Sequence, residues 1–268
     1  MIGGARQPRE DGPSPVPPSH QGCAIRSVRV HLPAQCAEPG GESGGEPRGE
    51  ARGELRDRHE DGHHLHHLVW RLGPGVRVCS SAVLGGGIGP RAWVLNAQVP
   101  GGYPRLDPDR HLAEIAAAEG LTGPGAGLMT AAEVAAYTTG HDGGVTATVT
   151  TGLGVRGWAA APDNAASGPG APHRPGTINI VVTLPTALSD AALVNAVATA
   201  TEAKVQALLD AGLDCSGTPT DAVCVAAPEP GPDGGEPFAG PRSTWGARIA
   251  RAVHTAVRAG ARPARDLS

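Results

Sequence analysis

The segment at residues 177–184, TINIVVTL, constrains the fold more than any other part of the chain. It is β-branched and almost wholly apolar, which is typical of a strand in the middle of a sheet. Ser189 then caps the longest stretch of helical periodicity, which ends at Gly212. A central strand followed by a long helix predicts a sheet on which helices pack.

Further strands and helices are predicted before and after this pair. Strands are expected at residues 24–32, 65–72, 76–83, 92–97, 145–151 and 222–227. The second and third of these flank a Gly-Pro-Gly turn and are expected to form a hairpin. Helices are expected to begin at Pro108, at a capping box formed by Thr130 and Glu133, and after Ser243 or Thr244. The fold class is therefore α+β, or mixed α/β, with a layered β-sheet core and packed helices.

Stretches rich in Pro, Gly and charge are expected to lie outside the folded part. Residues 1–22 predict a disordered N-terminal tail, 33–62 a disordered insertion and 263–268 a C-terminal tail. One domain is expected over residues 23–262. Residues 38–61 carry eight acidic and four basic side chains, so this segment accounts for the whole formal net charge of -4.

Charge and cysteine content exclude several classes of function. Because acids and bases balance outside residues 38–61, no electrostatic field indicates nucleic acid or an anionic membrane as a partner. The five cysteines lack the paired spacing of a disulfide framework or a zinc ribbon. Without an apolar run of spanning or signal-peptide length, the expected location is the cytoplasm, with reduced thiols. The sequence leaves the oligomeric state open.

Two motifs suggest ligand binding but fit it poorly. His63, His64, His66 and His67 cluster, yet adjacent histidines on a strand point to opposite faces, so at most two could share one ion. We therefore expect a solvated strand entry and no metal. The glycines at 85–89 lack the spacing and the lysine of a phosphate loop, so a turn is expected there.

Two Gly-Thr segments each precede an apolar strand. They are Gly176-Thr177-Ile178-Asn179 and Gly217-Thr218-Pro219-Thr220-Asp221. Small hydroxyl residues at strand ends can provide a nucleophile or donors to an oxyanion. By spacing alone, the simpler interpretation is that each pair ends a turn. The polar stripe formed by Asn195, Thr199, Glu202 and Gln206 on the long helix is likewise typical of a solvent-exposed face.

Seven segments together resemble a known family. They are CSSAVLGGG with WVLNAQVPGGY (79–103), GLMTAA (127–132), VTATVTTGL (145–153), GTINIVV (176–182), ATATEAKVQAL (198–208), SGTPTDAVCVA (216–226) and FAGPRSTWGARIARAV (238–253). In order and approximate spacing they resemble the adenosylcobinamide amidohydrolases, over about residues 65–262.

The resemblance implies a reaction. Members of this family hydrolyse the amide between the corrin ring's propionyl side chain and 1-amino-2-propanol, giving adenosylcobyric acid for cobamide salvage. The corrinoid is then the substrate, and no cofactor is required. The family segments supply substrate-binding candidates: Asn96, Thr130, Thr150, Asn179, Lys204, Thr218 and Thr220. The alternative is a corrinoid-binding protein that has lost the chemistry.

A fainter likeness suggests which residues are catalytic. A Gly-Thr strand, a helix and a second Gly-Thr strand are similar to the layout of N-terminal-nucleophile-like peptidases of the aminopeptidase DmpA and ornithine acetyltransferase type. That likeness implies Thr177 as nucleophile, with Asn179 or backbone amides as oxyanion donors. Glu202 or Asp221 would be the general base or the orienting group. Water activated by a metal is the competing mechanism.

Overall fold

The computed structural model describes residues 52–162 and 176–262. The predicted tails at 1–22 and 263–268, the predicted strand at 24–32 and the start of the predicted insertion lie outside these residues. Within them, ten strands and three α-helices are arranged along the chain in this order: β1 (Glu54–Glu60), β2 (His63–Arg71), β3 (Val76–Ser80), β4 (Gly87–Pro90), β5 (Trp93–Gln98), α1 (Pro108–Ala118), β6 (Gly125–Thr130), β7 (Thr138–Asp142), β8 (Val145–Thr151), β9 (Ile178–Thr183), α2 (Asp190–Asp210), β10 (Ala222–Pro228) and α3 (Thr244–Gly260).

The first sheet, sheet A, has four strands in the order β1-β2-β5-β6. β1, β2 and β5 pair antiparallel, and β6 lies parallel to β5. Helix α1 covers the outer face, where Leu112 and Ile115 pack against Val69 and Leu95. As the sequence predicts, Pro108 is the first residue of this helix, and Gly120 lies just beyond its end with a φ of 66°.

The second sheet, sheet B, has six strands in the order β4-β3-β10-β9-β8-β7. The prediction that 177–184 is a central strand is confirmed, because β9 lies between parallel β10 and antiparallel β8. Helices α2 and α3 cover the outer face with an apolar cluster that includes Leu193, Ile249 and Val253. The predicted cap Ser189 is confirmed, and of the two alternatives predicted for α3, Ser243 is the cap and Thr244 the first helical residue; each serine accepts a backbone N–H of the first turn.

The two sheets pack face to face through a third apolar cluster. Trp70 and Leu128 of sheet A belong to this cluster together with Val181 and Cys224 of sheet B. Along β9, Ile178 and Ile180 face the helices, whereas Asn179 and Val181 face sheet A. The described chain thus has four layers, helix-sheet-sheet-helix, and the predicted α+β class is confirmed. Whether this layering matches the DmpA and ornithine acetyltransferase type stays a prediction.

The predicted hairpin of residues 65–72 and 76–83 is wrong. β2 lies in sheet A and β3 in sheet B, so the Gly-Pro-Gly turn carries the chain between sheets. The hairpin partner of β2 is β1, across Asp61 and Gly62. These two residues have φ values of 48° and 81°, the left-handed pair that a tight type I′ turn requires. The predicted insertion at 33–62 is therefore also wrong over residues 54–60, which form β1.

The predicted capping box is wrong as well. Thr130 is the last residue of β6, and its backbone carbonyl accepts the N–H of Val99. Sheet pairing therefore keeps Thr130 extended. The next element along the chain is a single 3-10 turn at Val134–Ala136, which the Glu133 side chain caps. Among the described helices, none combines the length and the hydropathy needed to cross a membrane.

The packing of α3 against sheet B can be tested where the helix contacts β7. A Cβ added to Gly140 would overlap the backbone carbonyl of Ala252 in the helix. Gly140→Ala should therefore lower the free energy of unfolding by about 1–3 kcal/mol, measured by urea denaturation. Gly231→Ala is the matched control, because a Cβ there meets nothing within 4 Å. Equal stability of the two variants would contradict the observed packing.

Candidate active site

A cavity of about 540 Å³ opens at one end of the two-sheet sandwich. Its wall comprises residues after β3 and β5, the end of β6, and the residues that lead into β9 and β10. Apolar side chains such as Leu128 and Met129 alternate there with the hydroxyls of Thr130, Thr177 and Thr220. The volume lies within the range of roughly 300–1,000 Å³ that small-molecule sites occupy.

Thr177 sits at this wall directly before β9 and is buried. Its Oγ1 lies 2.6 Å from Oγ1 of Thr220. Thr220 Oγ1 in turn donates to the carbonyl oxygen of Gly176 at 3.1 Å. A hydroxyl has one proton, so Thr177 must donate to Thr220 in this arrangement. The lone pairs of the Thr177 oxygen therefore remain available for attack on a carbonyl.

Asp221 anchors both Gly-Thr segments. Its Oδ1 accepts the backbone N–H of Ile178 at 2.9 Å and the hydroxyl of Thr218 at 2.5 Å. Its Oδ2 accepts the N–H of Thr218 at 3.1 Å and the ammonium of Lys204 at 2.5 Å. A carboxylate offers about four lone-pair sites, and these donors occupy them. Asp221 therefore suits the orienting role better than that of a general base.

Gly217 makes this arrangement possible. A Cβ at this position would overlap the Asp221 carboxylate and the Lys204 ammonium. Only glycine leaves room for the backbone to approach the ion pair so closely. The glycine of the second Gly-Thr segment is thus explained by packing around a charge.

Asn96, Thr150 and Asn179 form a buried polar network between the sheets rather than a part of the cavity wall. Asn96 Nδ2 donates to Thr150 Oγ1 at 3.0 Å. Asn179 Nδ2 donates to Asn96 Oδ1 at 2.8 Å and to the Met129 carbonyl at 3.1 Å. Both of its amide protons are therefore used. Asn179 is committed to the core, and the geometry does not support it as an oxyanion donor.

The remaining candidates divide between two places. Thr218 and Lys204 line a second cavity, of about 710 Å³, and Asp221 belongs to the walls of both cavities. Glu202 lines neither cavity, and its side chain is exposed on α2. The structure thus brings Thr177, Thr220 and Asp221 together with Thr218 and Lys204, and it leaves Glu202 out.

The histidine cluster divides between the two faces of β2. His64 and His66 contact each other on one face, where Asp57, His59 and His64 offer ligand atoms within 4.8 Å of one another, all on exposed residues. His67 is buried on the other face and pairs with Glu119 at 2.9 Å. The expectation of no metal stays a prediction.

Sequence analysis missed a second polar chain at the cavity. Tyr103 lines the cavity, and its hydroxyl lies 2.8 Å from Nδ1 of His111. His111 Nε2 lies 2.7 Å from Oε1 of Glu60. Glu60 falls in the segment predicted to be disordered, so this link was not predicted. The Asp-Gly pair at 61–62 was the available signal for a hairpin that orders Glu60.

Comparison with known proteins identifies relatives over most of the described chain. The family model for adenosylcobinamide amidohydrolase matches residues 51–268. A protein named adenosylcobinamide amidohydrolase from Methanosarcina mazei is 33% identical over 187 residues, which cover 67% of this chain and 88% of that protein. A protein of the same name from Halobacterium salinarum is 46% identical over 85 residues, which cover 32% of this chain and 36% of that protein.

The anchoring role of Asp221 can be tested through Lys204. Lys204→Met would leave the Asp221 side chain, which is 11% exposed, without its cation, and breaking a largely buried pair in this way costs about 3–5 kcal/mol of unfolding free energy. Urea denaturation measures the loss. Arg251→Met is the matched control, because Arg251 pairs with Asp142 at the exposed surface and should change stability little. Comparable small losses in both variants would contradict the anchor.

Proposed function

This chain belongs to the adenosylcobinamide amidohydrolase family, and we propose that Thr177 is the residue with which it attacks the substrate amide. The chain is accordingly a hydrolase of amide bonds, with adenosylcobinamide as the substrate that the family names. Its products are adenosylcobyric acid and aminopropanol, and the reaction serves cobamide salvage. Both named relatives are enzymes, so nothing favours the non-catalytic corrinoid-binding alternative.

The size of the cavity supports a binding mode in which one arm of the substrate enters the cavity and the corrin ring stays outside. A corrin is a broad disc rimmed by amide arms, whereas about 540 Å³ at the open end of the sandwich suits one arm and an edge. In our proposal the aminopropanol arm enters between the sheets and the macrocycle stays at the mouth. The apolar side chain of Leu128 packs against the arm, and the hydroxyls of Thr130 and Thr220 bind its polar atoms.

Thr177 needs a base, and its surroundings point to its own amino group. Within residues 52–162 and 176–262, the hydrogen bond of Thr177 Oγ1 runs to a hydroxyl, not to an imidazole or a carboxylate. Asp221 is saturated and Glu202 is exposed. A threonine that heads its chain can use its α-amine, whose ordinary pKa of about 7.7–8.0 suits a base near neutral pH. This proposal requires a cut before Thr177.

The cut itself uses the same hydroxyl pair. Thr177 Oγ1 attacks the carbonyl carbon of Gly176 while Thr220, which already donates to that carbonyl oxygen, stabilises the developing charge. The peptide bond breaks, the nitrogen of Thr177 takes up the hydroxyl proton, and an ester joins Gly176 to Oγ1. One water then hydrolyses the ester, which leaves a Gly176 carboxylate and a free amine on Thr177.

Turnover repeats this chemistry on the substrate. The amine of Thr177 removes the proton from Oγ1, which attacks the amide carbonyl, and Thr220 donates to the oxyanion. The amine passes the proton to the departing aminopropanol nitrogen. Water hydrolyses the acyl-enzyme ester, which releases the corrinoid carboxylate. Hydroxyl, amine and water suffice for every step, so we propose that the enzyme uses no cofactor.

The described thiols support a cytoplasmic location. Cys79, Cys215 and Cys224 are free. Burial raises the pKa of the Cys224 thiol to about 12, so it stays protonated and unreactive. Free thiols of this kind fit a reducing compartment. In this proposal the corrinoid is a small-molecule partner, and neither nucleic acid nor a membrane is required.

Substitution of Thr177 tests the mechanism. Thr177→Ala should lower turnover of adenosylcobinamide at least about 10³-fold, measured as adenosylcobyric acid by mass spectrometry, because it removes the attacking oxygen. Thr177→Ser should keep part of the activity. Thr146→Ala is the matched control, since Thr146 pairs with Thr183 at the opposite end of β9 from Thr177. Full activity of Thr177→Ala would exclude this nucleophile.

The cut is tested separately. The active wild type should consist of fragments 1–176 and 177–268, and Thr177→Ala should stay intact. Lys204 is the only lysine of the chain and is held in an ion pair, so amine labelling of the folded protein should report mainly α-amines, including that of Thr177. If the wild-type enzyme is active but uncut, the cut is excluded, whereas attack by Thr177 as the nucleophile is not.

The competing mechanism, in which a metal activates water, has its own test. Activity that a chelator abolishes and added metal restores would favour that mechanism over attack by Thr177.

A further inference from the structure

Tyr103 is a polar residue of the cavity wall that the proposed mechanism leaves unused. Tyr103 lies in the loop after β5 and lines the same cavity as Thr177. Its ring stacks on that of His111, with centroids 5.6 Å apart and planes 9° apart. Its hydroxyl is 2.8 Å from Nδ1 of His111. The position of the hydroxyl is therefore set by an imidazole rather than by solvent.

His111 is itself held in place. It projects from α1, is 3% exposed, and pairs through Nε2 with Oε1 of Glu60 at 2.7 Å. The other oxygen of Glu60 accepts Nε of Arg58 at 2.8 Å. A carboxylate from β1, an imidazole from α1 and a phenol from the cavity loop thus form one hydrogen-bonded chain. Three separate elements converge on a single hydroxyl.

The directions of these hydrogen bonds determine what Tyr103 offers to the cavity. An ionised carboxylate only accepts, so we assign His111 the tautomer whose single ring proton is on Nε2 and is donated to Glu60. Nδ1 is then an acceptor, and the Tyr103 hydroxyl donates its only proton to it. A lone pair remains on the phenolic oxygen. Tyr103 therefore presents a hydrogen-bond acceptor to the cavity.

We propose that Tyr103 is a specificity-determining residue that accepts an N–H of a primary carboxamide on the substrate's rim. Glu60 and His111 are positioning residues that keep its hydroxyl in the accepting orientation. The inference rests on the proposed function for the identity of the ligand, because a corrin rim carries many such N–H donors. A rim bearing carboxylates or esters in place of carboxamides would lack this partner.

A purely structural role of Glu60 and His111 must be distinguished from the positioning role proposed for them. Glu60 and His111 join β1 to α1, so they could stabilise the fold without any effect on the ligand. A double-mutant cycle separates the two roles. Action through Tyr103 requires that loss of His111 weakens binding only while the Tyr103 hydroxyl is present. A purely structural role predicts that loss of His111 changes the Kd equally, or not at all, in both backgrounds.

The experiment measures binding of adenosylcobyric acid by equilibrium dialysis, together with KM and kcat for adenosylcobinamide. The product keeps the rim carboxamides and is not hydrolysed, so its Kd does not depend on the catalytic mechanism. The variants are Tyr103→Phe, His111→Phe, which keeps a packed ring, and the double variant. Tyr137→Phe is the matched control, because Tyr137 packs in the core between the sheets and does not line the cavity.

Tyr103→Phe should raise Kd and KM about five- to tenfold, the effect of one hydrogen bond, and leave kcat within about twofold. His111→Phe should raise Kd similarly, with no further rise in the double variant, and Tyr137→Phe should match the wild type. If His111→Phe does not fold, Glu60→Ala takes its place in the cycle. An unchanged Kd for Tyr103→Phe, or equal losses in both backgrounds, overturns the proposal. Wild type that binds the product but hydrolyses no adenosylcobinamide would instead contradict the proposed function.

Discussion

The site depends on the carboxylate of Asp221, whose side chain is only 11% exposed. It joins the residues that lead into β9 and β10 to the middle of α2, through backbone N–H groups, a hydroxyl and the ammonium of Lys204. Burying such a charge is tolerable only because its partners compensate it. Because these bonds fix Asp221, the neighbouring strands β9 and β10 begin at the same edge of sheet B. Thr177 and Thr220, which precede them, are therefore held within hydrogen-bonding distance.

The sandwich architecture explains why chemistry resides at this end. Between the sheets, the network of Asn96, Thr150 and Asn179 interrupts the apolar core and links sheet A to sheet B. That network fixes the register of the two layers just inside the cavity. The cavity then begins where β5 and β6 end and where β9 and β10 begin. The packed core between the sheets is thus followed, at this end of the sandwich, by a cavity whose wall contains many small residues.

Local signals in the sequence were sufficient for much of the fold. Ser189 and Ser243 cap their helices as predicted, since capping depends on a few neighbouring residues. Strand partners were not predictable in this way: β2 and β3 adjoin in sequence but lie in different sheets. Helical periodicity indicated a solvent-exposed face for Glu202, and the residue is exposed; it became a candidate only through the likeness to N-terminal-nucleophile-like peptidases. The catalytic roles of Thr177 and Asp221 came from the fainter likeness to N-terminal-nucleophile-like peptidases, whereas the link from Glu60 to Tyr103 required the tertiary structure.

The order of strands in sheet B has a consequence for a chain cut before Thr177. The inner strands β9 and β10 would belong to the downstream piece, and the strands on either side of them, β3 and β8, to the upstream piece. Strands of the two polypeptides would therefore be interleaved within a single sheet. Neither could depart without rupturing two backbone ladders at once, so the cut product would behave as an inseparable heterodimer that dissociates only on global denaturation.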